Sequence, residues 1–342
     1  MKDGGHFGFI VSSAWLDVEY GKGLQEFFLQ NYKIITILES KVERWFSDAD
    51  INTCIIILEK CPDEKERMNN LTWFVLLKKP LRQFIPAAEY EWNKQIERNN
   101  SIEKLIQTIL SHSKYYENND LRIYPIPQQD LWNEGYNKTE QNFTGAKWGK
   151  YLRAPKIFFT ILEKGKDKLI PLKEVAKVRF GIKTGVNEFF YLTEEKIKRL
   201  KIEEEFLQPV IFTLKEINGY SVQKDKLKYH VLICNKQKDK LKGKNILKYI
   251  NWGEKNNLHK RPTCASRQPW YSLGEGWPYA PLIFPAKVGE RMPVILNKGI
   301  FEDKKLYGII PNNKENIQLL GAILNSTYTR MMIEFTCRQL IR

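Results

Sequence analysis

Histidine and cysteine are scarce in this chain, four and five residues among 342. His6, His112, His230 and His259 lie too far apart for a local metal motif, and Cys54, Cys61, Cys234, Cys264 and Cys337 form no C-x-x-C. An odd, scattered set of cysteines fits reduced thiols better than a disulfide framework or a zinc knuckle, and no metal site is expected. Long apolar runs are missing as well. The longest uncharged stretches, such as residues 7–16 and 52–58, fall well short of the roughly 18–20 residues that span a bilayer, so no membrane partner is expected. The opening Met1-Lys2-Asp3-Gly4-Gly5 has none of the basic, apolar and small-residue regions of a secretory leader, and the protein reads as cytoplasmic. Neither the dinucleotide fingerprint G-x-G-x-x-G nor the phosphate-cradling G-x-x-x-x-G-K-[ST] occurs. Pro62-Asp63-Glu64-Lys65 matches a fragment of a nuclease core, but no second acid and lysine follow a strand at the usual distance.

What the chain has in excess is positive charge. Its 55 Lys and Arg face 40 Asp and Glu, a net +15, and 42% of its residues are hydrophobic, the composition of a globular protein with more than one core. Residues 1–80 carry −2 and the remainder +17. A basic block behind a near-neutral one points to a polyanionic partner, most often nucleic acid, against the alternative of a lysine-rich solubilising surface. The run from Lys224 to Lys260, with eleven lysines, reads as a solvated face suited to salt-sensitive, non-specific affinity.

Apolar patterning divides the chain into three. Strands are predicted over 6–11, 33–39, 53–58 and 71–77, with a helix over 20–32 whose Leu24, Phe27, Phe28 and Tyr32 share a stripe. This is an α/β pattern over residues 1–80, but too little of one for a complete doubly wound domain. Residues 81–149 read as a helical and irregular connection. A polar helix over 89–112 places Trp92, Ile96, Ile102, Leu105, Ile106 and Ile109 on one face, and an Asn-, Gln- and Pro-rich stretch follows. Residues 150–342 read as an α+β domain with strands at 157–161, 282–284, 294–296 and 306–310 and a helix over 316–335.

Two stretches resemble a known family. Gly4-Gly5-His6-Phe7-Gly8-Phe9-Ile10-Val11-Ser12-Ser13-Ala14-Trp15-Leu16 is followed by a helix, then by Ile37-Leu38-Glu39, then by Trp45-Phe46-Ser47-Asp48-Ala49-Asp50-Ile51-Asn52-Thr53-Cys54-Ile55-Ile56-Ile57-Leu58. This order resembles the second half of the catalytic domain of TaqI-like N6-adenine DNA methyltransferases. Val178-Arg179-Phe180-Gly181-Ile182-Lys183-Thr184-Gly185-Val186-Asn187-Glu188-Phe189-Phe190 resembles the start of the target-recognition domain in those enzymes and their type IIG relatives. Arg267-Gln268-Pro269-Trp270-Tyr271, Phe284-Pro285-Ala286-Lys287, Asn297-Lys298-Gly299 and Leu324-Asn325-Ser326 follow in the order of its later blocks. The resemblance covers most of residues 4–330. It implies a partial Rossmann-like methyltransferase half followed by a recognition domain that reads double-stranded DNA, in a restriction–modification or related defence system.

The same resemblance exposes two departures. The family's F-x-G-x-G loop for S-adenosylmethionine and its Asn-Pro-Pro-Tyr, which holds the reactive base, both precede the Gly-Gly-His-Phe stretch, and neither occurs here. The exocyclic adenine amine is a poor nucleophile and must be hydrogen-bonded and aligned with the sulfonium methyl. The chain alone is therefore expected not to methylate. It reads as the C-terminal portion of a methyltransferase, from a truncated or split gene or as an expressed fragment, whose exposed sheet edge would either pair with a separate N-terminal methyltransferase polypeptide or leave the protein prone to association.

Individual residues admit two roles each. Phe46 falls where the family stacks an aromatic on the flipped adenine, with Trp45 the lesser candidate, and both equally suit a core before a strand. Lys183 and Thr184 occupy a glycine-flanked loop that suits either a phosphate contact or a plain turn. Arg267 has the fork that pairs with guanine O6 and N7, while Trp270 and Tyr271 beside it fit DNA contact or an aromatic satellite core with Trp277 and Tyr279. Lys287 and Arg291, around Gly289, form a second basic loop, read as phosphate contacts or as ordinary solvated charge. The rival functions are a non-catalytic DNA-specificity subunit and a general basic nucleic-acid-binding protein.

Overall fold

The computed structural model describes residues 1–46, 48–49, 51–274, 279–289 and 292–337. The chain divides into two compact units, Met1–Asp167 with Met331–Arg342, and Lys168–Arg330.

In the first unit β1 (His6–Ser12), α1 (Gly21–Asn31), β2 (Tyr32–Ser40), β3 (Thr53–Lys60), α2 (Glu64–Asn69) and β4 (Leu71–Leu77) follow one another. Next come α3 (Trp92–Leu110), β5 (Tyr116–Glu117), β6 (Leu121–Pro127), α4 (Gln128–Gly135), the short pair β7 (Tyr136–Asn137) and β8 (Asn142–Phe143), α5 (Gly149–Arg153) and α6 (Lys156–Gly165). Six strands form one mixed sheet in the order β1-β3-β2-β4-β6-β5, with β2 and β4 parallel and the other neighbours antiparallel. The stretch 81–149, read from sequence as a connection, thus contributes β6 to the sheet beside β4 and α3 to its cover.

Both faces of the central strands are buried, which is why their sequences run apolar with little polar alternation. Cys54, Ile56 and Leu58 of β3 and Phe74 of β4 pack with Trp15, Leu16, Leu29 and Trp148 on one face. Val75 and Leu77 turn to the other, against Leu105 and Ile109 of α3. The helices bury less than their patterns predict. In α3 the buried positions are Leu105 and Ile109, while Trp92, Ile96 and Ile106 are exposed, because only its C-terminal half lies on the sheet. In α1 the buried positions are Gly21, Gln25 and Leu29, and Leu24 and Phe27 are exposed. Gln25 displaces the expected stripe because its amide closes a two-way bond with the Ala146 backbone, accepting from N at 2.9 Å and donating to O at 3.0 Å.

A buried ionic hub joins the start of the unit to its end. The Arg153 guanidinium donates to Asp17 Oδ2 at 2.6 Å and, through two nitrogens, to both Glu39 oxygens at 3.0 and 3.1 Å. All three side chains are at most 10% exposed. Gly149 admits this packing, since a Cβ there would stand 2.5 Å from the Arg153 and Asp17 polar atoms. Burial raises the Asp17 carboxyl despite the pull of Arg153.

The second unit contains α7 (Leu172–Val175), β9 (Ala176–Phe180), α8 (Asn187–Phe190), β10 (Tyr191–Leu192), α9 (Glu194–Leu200), β11 (Leu207–Ile211), β12 (Tyr229–Leu232), α10 (Asn245–Lys255) and α11 (Pro262–Ala265). β13 (Leu282–Pro285), β14 (Ile295–Leu296), β15 (Phe301–Glu302), β16 (Leu306–Pro311) and α12 (Ile317–Leu324) follow, and α13 (Thr327–Thr336) begins in this unit, its residues from Met331 onward belonging to the first. Two four-stranded sheets result, β10-β12-β11-β15 and β14-β13-β16-β9. The largest core of the unit surrounds Phe189, Phe190, Tyr249 and Tyr271 on the first sheet, and Leu282, Val294 and Ile309 form a smaller one on the second.

Two sequence expectations fail here. Residues 157–161, read as a strand, lie in the helix α6, where Phe158 is buried and packs edge-on to Phe335 at 5.7 Å. A short apolar run is ambiguous between strand and helix until its contacts are known. The single helix expected over 316–335 is two, α12 and α13, parted at Asn325. Its amide accepts from Val294 N at 2.9 Å and donates to Val294 O at 2.8 Å, which pins the break to the strand edge. Among the described residues no helix is long and apolar enough to cross a membrane.

Removing the cation from the ionic hub leaves two carboxylates buried without a partner. Arg153→Ala is expected to destabilise the protein by about 3–5 kcal/mol, measured as a lower urea midpoint at neutral pH. A change below about 1 kcal/mol would show that the hub is solvated.

Candidate nucleic-acid interface

In the first unit the candidate residues sit on the loop that leaves β2. Ser40 Oγ accepts from the amides of Val42 and Glu43 at 3.3 and 3.2 Å, turning the chain sharply. Glu43 then anchors the loop, accepting from Leu81 N at 2.6 Å and from Trp45 Nε1 at 3.3 Å. Trp45 packs half-buried against the Val75–Leu105 core. Phe46, its neighbour, is 42% exposed. Phe46, the first candidate for stacking, and Trp45, the lesser one, are thus separated, Trp45 as an anchor and Phe46 as an open ring. A cavity of about 610 Å³ opens beside this loop, lined by Glu39, Glu43, Asn52, Arg122, Arg153 and Phe335. Its arginines Arg122 and Arg153 are committed to Glu117, Glu39, Asp17 and backbone carbonyls, which leaves their charge neutralised within the protein.

In the second unit Lys183, Thr184 and Arg267, far apart in sequence, meet at one loop. Arg267 donates to the carbonyl of Thr184 at 2.8 Å and to that of Lys183, and its guanidinium lies 5.9 Å from the Phe190 ring centre. The fork expected to read guanine is therefore spent on the protein's own backbone. Thr184 is buried and its hydroxyl bonds Asn187. The flanking glycines serve the same packing. A Cβ at Gly181 would fall 2.4 Å from the carbonyls of Glu302 and Asp303, and one at Gly185, where φ is +83°, would strike Thr263 at 2.7 Å. The space that was read as room for a phosphate is filled by the chain. Lys183 alone of this group is exposed.

Trp270 and Tyr271 are core residues, 9% and 1% exposed, so neither ring has a face to offer DNA. Trp270 packs on Phe189 at 4.7 Å and donates to Glu254 Oε1 at 3.0 Å, and the Tyr271 hydroxyl donates to Lys236 O at 2.9 Å. Of the expected satellite core, Tyr279 packs instead on Phe301, and Trp277 lies outside the described residues. Lys287 is exposed on a separate cleft of about 520 Å³, whose walls include Lys215, Pro285, Pro293, Lys304 and Lys305. Arg291 lies outside the described residues.

Sequence reasoning missed the group that supports this surface. Behind the Lys183 loop, Arg179 Nη1 lies 2.7 Å from Glu302 Oε1 as an ion pair, and Tyr191 donates its hydroxyl to Asp303 Oδ2 at 2.6 Å. Both acids are at most 1% exposed. Burial pushes the Glu302 carboxyl up to about 7, against the pull of Arg179. In sequence Glu302-Asp303-Lys304-Lys305 looks like an ordinary charged turn, and no local signal separates its buried half from its exposed half.

The surface charge follows the division into units. Residues 168–330 hold 30 basic and 16 acidic side chains, +14 of the chain's +15, so the first unit is nearly neutral.

The chain fills the β1–α1 junction itself, with Ser13, Trp15 and Leu16 buried and the Cβ position of Gly21 1.9 Å from the Trp15 carbonyl.

The family described as Type II methyltransferase M.Eco57I, C-terminal domain, matches residues 145–340. Type II methyltransferase M.AccI of Acinetobacter calcoaceticus is 27% identical across 99% of this chain and 56% of its own length. Type II methyltransferase M.BanIII of Aneurinibacillus aneurinilyticus is 21% identical across 98% of this chain and 57% of its own. The chain spans little more than half of either relative. Among solved structures, the type IIL restriction-modification enzyme MmeI, determined in complex with DNA, is similar in fold, with a TM-score of 0.52 at 13% identity over 98% of this chain and 37% of that one.

Two substitutions test the local assignments. Arg267→Ala removes two charge-assisted bonds to backbone and is expected to cost about 2 kcal/mol and to speed hydrogen exchange of the amides of residues 183–187. Unchanged exchange would free Arg267 from that role. For Glu302, a folded-state value above the unfolded one means that its contribution is full below about pH 4.5 and is lost as pH rises through about 7. The stability difference between wild type and Glu302→Gln should accordingly shift against the wild type by on the order of 3 kcal/mol from pH 4 to pH 8 in urea titrations. A flat difference would mean an ordinary carboxylate.

Proposed function

The chain belongs to the family of the type II methyltransferase M.Eco57I C-terminal domain, and from that membership we propose that it performs site-specific DNA recognition within an adenine-N6 DNA methyltransferase of a cytoplasmic restriction–modification system. One observation carries the reading: the family match spans the whole second unit, and that unit holds +14 of the net charge. Counterion release from duplex DNA gives such a surface its affinity, and specificity must come from groups placed on it.

In this reading Phe46 stacks on the extruded adenine, since an open ring replaces the stacking a flipped base loses. Trp45, tied to Glu43, holds the loop that presents it. Lys183 and Lys287 meet phosphates. Thr184 and Arg267 shape the loop that carries Lys183, and Trp270 and Tyr271 support it from the core. The methyl donor, S-adenosylmethionine in type II methyltransferases generally, is bound by a segment that supplies the F-x-G-x-G loop and Asn-Pro-Pro-Tyr. We place that segment, as part of a longer chain or as a separate polypeptide, along β1. This strand is an edge of the sheet, and Phe7, Phe9 and Ile10 on it are all more than 40% exposed. With β3 antiparallel between β1 and β2, the three strands would form one flank of the completed methyltransferase sheet.

Selection of the full chain against randomised duplex DNA at about 150 mM salt tests the reading. The expected result is enrichment of one short adenine-containing site. Phe46→Ala should then weaken binding to a duplex with the target adenine mispaired by about 1–3 kcal/mol, leaving non-specific affinity unchanged. Absence of enrichment, with affinity collapsing as salt rises, would make the protein a general polyanion binder.

A further inference from the structure

The cleft that holds Lys287 has a composition that the reading above does not explain. Four exposed lysines, Lys215, Lys287, Lys304 and Lys305, stand around it, and none forms an ion pair with a described residue. Its floor is apolar, with Pro285, Pro293 and Leu306 buried and Leu214 half-buried. Two acids adjoin these lysines in sequence: Asp303 is buried and accepts from the Tyr191 hydroxyl, and Glu216 is half-buried and accepts from Phe212 N at 3.4 Å, without pairing with these lysines. Burial raises the Glu216 carboxyl against the pull of Lys228 and Lys305. Elsewhere in the unit Lys236 and Lys244 share Glu205 and Lys238 takes Glu254. Four ammonium groups with no ion-pair partner among the described residues raise a local positive potential that an anion from outside relieves.

The walls are held rigidly. Asp303 N donates to Ile211 O at 2.9 Å, fixing the end of β11 from which Lys215 follows. Asp303 Oδ1 accepts from Lys305 N at 3.0 Å, and Ala286 N donates to Lys305 O at 2.8 Å, which sets Lys287 beside the Lys304–Lys305 turn. Lys305 Nζ lies 3.4 Å from the Phe212 ring centre, a cation–π contact that restrains the side chain. Lys304 N donates to Ile182 O at 3.0 Å, so the residue before Lys183 is tied to the same turn. Asp303 thus ties the end of β11 through its backbone amide and the Lys304–Lys305 turn through its carboxylate.

We infer that this cleft binds a backbone segment of one DNA strand, its phosphates on the four lysines and a deoxyribose or base face on the proline and leucine floor. The inference rests on the proposed DNA recognition and adds a second, sequence-independent anchor to it. A lone row of surface lysines would take phosphates anywhere along a strand. An apolar floor between them selects the ligand whose charges alternate with apolar surface, which a nucleic-acid strand is and a polyglutamate chain is not.

The test compares the full-length protein with two triple variants in salt titrations of duplex binding. Lys287→Ala/Lys304→Ala/Lys305→Ala is expected to lower the slope of log K against log salt by about 2.7, at about 0.9 per phosphate contact. Lys173→Ala/Lys198→Ala/Lys314→Ala, exposed lysines outside both the cleft and the 224–260 run, should change it by less than about 1. Ala286→Glu, which keeps every lysine but places a carboxylate over the floor, should weaken duplex binding at least tenfold while melting curves match the wild type. Equal effects of the two triples, or competition by polyglutamate as strong per charge as by duplex, would overturn the cleft. If the wild type selects a site and the cleft triple retains the wild-type slope, the cleft fails and the recognition reading stands. If the wild type selects no site, that reading fails, whereas a specific slope loss in the cleft triple would still support the cleft as an anchor.

Discussion

A charge taken out of water must find its partner inside the protein, and each unit of this molecule is arranged around one such requirement. In the first, Arg153 satisfies Asp17 and Glu39 at once, which ties the turn after β1, the end of β2 and the helix α5 into one corner. In the second, the Glu302–Asp303 pair is buried against Arg179 and Tyr191. Both hubs use residues more than 100 positions apart in the chain, so each closes its unit rather than a local turn.

The second hub has a consequence for the surface. Glu302 and Asp303 point inward while Lys304 and Lys305 remain exposed, so a four-residue charged stretch becomes electrically one-sided. The acids that would neutralise those lysines are spent on Arg179 and a tyrosine hydroxyl. Net charge counted from composition therefore understates the positive potential available to a partner. The reverse holds in the first unit, where Arg122 and Arg153 border a cavity with their charge already matched by Glu117, Glu39 and Asp17. Arginines that look available in sequence are structural there, as Arg267 is in the second unit. Lysines carry the free charge, consistent with the planar, multidentate arginine fork being the better buried partner and the ammonium the better hydrated one.

Much of the fold was legible beforehand. Four strands form where apolar runs and β-branched residues put them, and motifs over residues 4–16, 45–58 and 178–190 pointed to the methyltransferase family that the whole-domain match establishes. The errors share a cause. The stripe on α1 was drawn through Leu24 and Phe27 because hydrophobicity was taken as burial, yet Gln25 is inside, where it has two backbone partners, and Phe27 is outside. Residues 157–161 were read as a strand because five apolar or β-branched positions carry no period, yet they form part of the helix α6 with Phe158 buried.

By itself the sequence determined most of the strand positions, the family and the excess of basic side chains, since each is a property of residue type and local order. Tertiary structure alone decided which of those residues face outward. Phe46 is open where Trp45 is closed, Lys183 is exposed where Thr184 is buried, and Lys287 meets Lys304 and Lys305 while Arg267 turns to the backbone of its own loop. Burial and pairing depend on what a distant segment brings to the same place, and neighbours in the chain do not carry that information.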